Sequence, residues 1–186
     1  MAVITSLDES HISASLGAGR KYGGALATFL RPANATPYAA GDVISDSASV
    51  AAAIEFTNCG ARKGGSGAIL RAHVSVDVNH ASVPNLELYI FDHEPTNHLD
   101  NAALALADSD IVKLHTSLIF TGSTAKVLNA SASPAGAIQI AAALELPRPF
   151  VCDPDSRSLY GLLVTRSVFT PVSGAKWYVH LEIEQD

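Results

Sequence analysis

The sequence predicts an all-β fold, an antiparallel β-sandwich of jelly-roll type with one or two short helical turns. Three observations predict it. Residues 70–79 set Leu70, Ala72, Val74, Val76 and Val78 against Arg71, His73, Ser75, Asp77 and Asn79, a period of two that gives a strand one buried and one wet face. Residues 176–184 repeat the pattern, with Trp177, Val179, Leu181 and Ile183 inward and Tyr178, His180, Glu182 and Glu184 outward. The other apolar runs are short and separated by Gly, Pro, Asn, Asp and Ser clusters, the spacing of a many-stranded sandwich.

The remaining elements follow in order. Residues 5–24 are rich in Ser, Ala and Gly and hold no stable period, so residues 1–24 read as a flexible N-terminal arm and 25–186 as a single β-sandwich domain. Strands are expected at 25–30, 42–45 and 51–58, and Lys63-Gly64-Gly65-Ser66-Gly67 reads as a flexible link into the strand at 70–79. At 86–91, Leu86, Leu88 and Ile90 face one way and Tyr89 and Phe91 the other, so both faces need cover. Residues 102–107 and 111–114 suit short helical runs capped by Asp100 or Asn101 and by Asp108 or Ser109, too short to stand alone. Further strands are expected at 116–121, 125–129, 137–144 and 159–168.

The chain has 186 residues, a formal net charge of -6 and 16% charged residues, against about 25% in an average soluble chain. Its surface is therefore rich in small uncharged residues or covered by other subunits. No cluster of cations exists to neutralise phosphates, which argues against a nucleic-acid partner. No apolar stretch approaches the roughly 18 residues of a membrane span, and no basic region precedes the apolar residues near Met1, so neither a membrane partner nor a secretory signal is expected. Cys59 and Cys152 stand far apart without metal-ligand spacing. The sequence leaves open whether they form a disulfide within or between subunits or remain buried thiols.

The densest polar stretch is Asp92-His93-Glu94-Pro95-Thr96-Asn97-His98-Leu99-Asp100. Its spacing does not suit a metal, since a His-Glu-x-x-His pair needs one helix face and Pro95 interrupts a longer gap. Asp100, Asp108 and Asp110 lack the central Gly and terminal Glu of a calcium loop. Gly65-Ser66-Gly67 is not in a nucleophile-elbow context, and Gly17-Ala18-Gly19-Arg20-Lys21-Tyr22-Gly23 has its third glycine offset from the dinucleotide pattern. Among Glu55, Asp77, Glu87, Glu182 and Glu184, no pair is singled out as glycoside-cleaving carboxylates, and Glu182 and Glu184 fall on a wet face. The reading is thus no catalytic, cofactor or metal residues, and not an enzyme. Trp177 falls in the core register, leaving Tyr89 and Tyr178 as the exposed aromatics a glycan would stack on.

Three stretches carry a family resemblance: Gly64-Gly65-Ser66-Gly67-Ala68-Ile69-Leu70; Leu88-Tyr89-Ile90-Phe91-Asp92-His93-Glu94-Pro95-Thr96 with Asp100-Asn101-Ala102-Ala103 and Ala107-Asp108-Ser109-Asp110; and Ser158-Leu159-Tyr160-Gly161-Leu162-Leu163-Val164-Thr165-Arg166 with the closing Glu184-Gln185-Asp186. Together they resemble the β-sandwich virion structural proteins of tailed bacteriophages, most of all capsid decoration, or cement, proteins. The resemblance implies a subunit on the capsid exterior, made in the host cytoplasm, that binds and stabilises the shell of major capsid proteins and associates with itself as a homotrimer. It implies no active residues. A head-fibre, neck or tail position is a variant of this reading. The alternative from a different class is a glycan-binding or glycan-hydrolysing sandwich on the particle surface.

Overall fold

Alternating side chains become two facing sheets in the computed structural model, which describes residues 21–49, 52–78, 82–127, 138–141 and 147–186. The larger sheet contains β1 (Lys21–Leu30), β4 (Ser66–Val76), β7 (Lys126–Val127), β8 (Ile138–Ala141), β9 (Arg148–Val151) and β11 (Lys176–Gln185). The smaller contains β2 (Val43–Ile44), β3 (Ile54–Phe56), β5 (Leu86–Phe91), β6 (Leu114–Phe120) and β10 (Leu159–Thr165). The order is β1-β11-β4-β8-β7 in one, with β9 beside β4, and β2-β10-β5-β6 in the other, with β3 beside β10. All pairs are antiparallel, and the two orders interleave as in a jelly roll.

The core forms where the inner faces meet. Trp177, Val179, Leu181 and Ile183 of β11 pack with Ile69, Ala72 and Val74 of β4 and with Leu86, Leu88 and Ile90 of β5, all buried. The alternation expected for the last strand is therefore observed, and β5 takes the central place its two apolar faces require, between β10 and β6. The pattern in β4 changes phase. A bulge opposite Glu182 and Ile183 leaves Leu70 without a partner, so Ile69 enters the core and Leu70 turns out, although the period extrapolated from Ala72 puts Leu70 inside.

Several expectations are corrected. Lys21–Gly24 are strand, paired with Gln185–Glu182, so the arm cannot extend to residue 24; residues 1–20 lie outside the described residues. Gly64 and Gly65 are no flexible link: Gly64 donates to the carbonyls of Asp153 and Ser156, both at 3.0 Å, and Cys152 donates to the carbonyl of Gly65 at 2.9 Å. Gly64 has a φ of +64°, a conformation that favours glycine. Residues 102–107 are not helical. Val43 donates to the carbonyl of Ala102 and Leu104 donates to that of Gly41, so this segment extends the smaller sheet beside β2 in place of closing its own hydrogen bonds. Among the described residues one short helix, α1 (Asp108–Ile111), begins after it, and one 3-10 turn spans Gly122–Thr124. β9 is a strand beyond those expected; its Pro149 has no amide to give to a ladder, and beside β4 it pairs over only four residues. Parts of the strands expected at 51–58, 70–79, 125–129 and 137–144 lie outside the described residues.

Candidate functional site

The acidic loop after β5 meets two other segments at one end of the smaller sheet. β5 delivers Asp92 and His93 at its C-terminal end, and β6 delivers His115 through a second bulge, where Ile90 faces Thr116 and Phe91 faces Leu114. The extra residue is His115 itself, and its imidazole turns toward Asp92 and the carbonyl of Val151. The β9–β10 loop supplies Asp153, Asp155 and Ser156, and Tyr160 closes the floor of an open depression of about 210 Å³ that Asp92, His93 and Glu94 also line.

Hydrogen bonding restricts what this cluster does. His93 places Nδ1 2.7 Å from Asp92 Oδ1 and Nε2 against Asp153 Oδ2, so carboxylates engage both ring nitrogens. His115 Nε2 lies 2.9 Å from the carbonyl of Val151, which casts it as the donor. Ser156 Oγ accepts from the amide of Ser158 at 2.9 Å and bonds the phenol of Tyr160, which turns it away from the role of a nucleophile beside His93. Burial and the carboxylate of Glu55 push the Tyr160 phenol up, so it stays protonated and able to donate. Among the described residues, no group of three or more His, Cys, Asp or Glu side chains is arranged to hold a metal ion. The arrangement is a polar, acid-lined pocket with one phenol donor, suited to polyhydroxylated or cationic groups.

The other residues singled out in the sequence do not gather here. Trp177 is core, 1% exposed. Tyr89 and Tyr178 sit on the outward registers of different sheets and cannot form one stacking platform. Arg166 covers the Tyr89 ring at 5.6 Å and bonds its hydroxyl, while Lys176 stands 5.3 Å from the Tyr178 ring centre. His98 of the acidic loop lies with Nδ1 2.7 Å from the carbonyl of Thr96 and accepts the amide of Ala105 at Nε2 across 3.2 Å, and Asp100 is withdrawn into the interior. Cys59 and Cys152 are free, buried thiols whose loops are stitched together: a Cβ on Gly60 would stand 3.2 Å from Cys152 Sγ. Burial pushes the Cys59 thiol up to about 12 and raises that of Cys152.

A second surface stands out on the larger sheet. β1 is its edge strand, and among the described residues it pairs only with β11. Its outward register shows Tyr22, Leu26 and Leu30 at 72%, 59% and 59% exposure, an apolar row along an open edge. Beside it, His180 packs over Gly24, where a Cβ would stand 2.5 Å from Nε2, and meets His73 edge-on at 4.7 Å between ring centres.

No protein-family model and no curated protein matches this sequence. In structure the chain is similar to a conserved carbohydrate esterase from the Shiga toxin-encoding bacteriophage phi24B, with a TM-score of 0.28 and 12% identity, over 89% of this chain and 90% of that chain. So slight a likeness assigns no chemistry to this site. It nevertheless overturns the expectation that this chain is not an enzyme, which is withdrawn.

Proposed function

We propose that the chain is a structural subunit of a bacteriophage virion, a decoration protein that docks on the shell of major capsid proteins through the outer face of its larger sheet. The observation that carries the reading is the exposed row of Tyr22, Leu26 and Leu30 on edge strand β1. A lone sandwich gains nothing by holding three large apolar side chains in water, whereas a subunit that docks buries them, at about 1.5–3 kcal/mol per fully buried side chain. The sparse charge of the whole chain and the resemblance of its three sequence stretches support the same reading. Purified protein added to expanded shells lacking it should bind and raise their disruption temperature, and Leu26→Asp with Leu30→Asp should bind at least tenfold more weakly. A folded full-length chain that binds no shell sinks the proposal.

A second reading rests on the depression around Asp92, His93, Asp153 and Tyr160, whose carboxylates and phenol offer hydrogen bonds to sugar hydroxyls. It makes the chain a glycan-binding or glycan-processing sandwich on the particle surface. A glycan array comparing wild type with Tyr160→Phe and Asp155→Asn tests it. Binding that both substitutions weaken supports this reading, and an array without any bound glycan ends it.

A further inference from the structure

We infer that His73 and His180, on the outer face of the larger sheet, form a two-imidazole site for a late divalent transition ion of the zinc type. The pair stands within one chain, whether or not that chain docks on a shell.

Register sets the two rings side by side. His73 of β4 and His180 of β11 are direct partners across the antiparallel pair, and both fall in the outward parity of their strands. Directly opposite residues hold their Cβ atoms about 4.5–5.5 Å apart, so two side chains of equal length reach the same point above the sheet. The ring centres are 4.7 Å apart and the planes cross at 68°. A zinc ion lies about 2.0–2.1 Å from an imidazole nitrogen and so about 3.2 Å from the ring centre, which puts the centres of two imidazoles on one ion, at about 90–109°, about 4.5–5.2 Å apart. The observed separation falls inside that interval. Turning a ring about its Cβ–Cγ bond hardly moves its centre, which lies close to the bond axis, so one nitrogen of each ring can face a shared ion with the separation kept.

The surroundings favour one ion over two protons. His180 stands over Gly24, where a Cβ would be 2.5 Å from Nε2, so glycine at that position leaves the ring its space. A depression of about 390 Å³ beside it, lined by Tyr22, Leu70 and Glu182 among others, has room for the waters that complete the coordination. Burial and the neighbouring His180 hold His73 below its ordinary value, so at neutral pH its lone pair is free for a metal. Two protonated rings this close repel each other, whereas one divalent ion serves both. The Glu182 carboxylate, 3.7 Å from Arg71, adds negative charge on the same face. Imidazole suits zinc, copper and nickel, while magnesium and calcium take oxygen ligands. Two protein ligands fall short of the four that enclose a structural zinc, so the ion at this site is exchangeable.

Titration of the full-length chain with zinc chloride at neutral pH, followed by calorimetry and by NMR of the histidine rings, tests the inference. The ring resonances of His73 and His180 should shift together and saturate, and magnesium chloride should leave them in place. His73→Gln and His180→Gln should each weaken zinc binding at that site at least tenfold, because one imidazole remains, while His98→Gln, in the loop after β5, should leave it. Both glutamines are polar and stand on an outward register; should either variant melt early, the paired ring shifts of the wild type decide. No shift of either ring with zinc in large excess overturns the inference. So does zinc binding that survives either glutamine substitution, a shift of one ring without the other, or an equal response to magnesium.

Discussion

Arg31 donates from Nη2 to Asp100 Oδ2 across 3.1 Å, and both side chains are withdrawn from solvent. The pair ties the loop after β1 to the segment that extends β2. Tyr38 bridges them, accepting from Arg31 Nε and donating to Asp100 Oδ1, which also accepts the amide of Ser45 at 3.1 Å. The remaining guanidinium donors go to Asn34 and to the carbonyl of Val172. Each buried polar group is thus engaged, the condition under which a buried ion pair is tolerated.

Removing one partner should therefore be severe. Asp100→Asn and Arg31→Met are each expected to lower unfolding free energy by about 3–5 kcal/mol, because the survivor stays buried without its counter-charge. Tyr38→Phe, which leaves the pair but removes the bridging hydroxyl, should cost about 1–3 kcal/mol. Urea unfolding of the three variants checks the order; equal, small losses would mean that water reaches the pair.

The β4 bulge gives a sharper contrast. Ile69 is fully buried while Leu70 turns out, so Ile69→Ala should cost about 2–5 kcal/mol and Leu70→Ala about 1 kcal/mol or less. The reverse order in thermal or urea unfolding would restore the uninterrupted alternation and remove the bulge.

These two features also mark how far the sequence could be read. Strict alternation in residues 176–184 places the inner face of β11 correctly, because side-chain direction in a regular strand is set by parity alone. A bulge breaks parity without any residue that announces it, so Leu70 was placed inside and His115 was not connected to Asp92. The polar loop at 92–100 stands out as a cluster, yet its partners Asp153 and Tyr160 arrive from about sixty residues away in sequence, through pairing of β10 with β5 that no local pattern encodes. Arg31 and Tyr38 escape notice for the same reason, and Asp100, which stands out as part of the polar stretch, shows no sign of its partners: each is an ordinary loop residue until the fold joins them.

The thiols yield a chemical test. Cys59 donates to the carbonyl of Phe56 at 3.2 Å and is fully buried, with its thiol pushed up to about 12, so little thiolate exists at neutral pH and reagents reach it slowly. Native protein should react with Ellman's reagent far more slowly than a free thiol, and protein in guanidinium should release two equivalents. No release on unfolding would reveal a disulfide.

The histidine pair on the larger sheet predicts a pH dependence. Burial and the neighbouring His180 hold His73 below its ordinary value, with Glu182 opposing them. The charged groups on the adjoining strands are Arg71 and Glu182, whose side chains approach to 3.7 Å, with Lys176 and Glu184 further along β11. Because the folded imidazole is the weaker base, the unfolded chain takes up the proton first as pH falls, and the slope of unfolding free energy with pH is positive there. The contribution is complete above the unfolded value near 6.5 and is lost as pH falls through the lower folded value. Wild type should therefore lose more thermal stability between pH 7 and 5 than His73→Gln, which keeps a polar side chain but removes the titration. Parallel melting curves for the two proteins across that window would show that His73 is as easily protonated folded as unfolded.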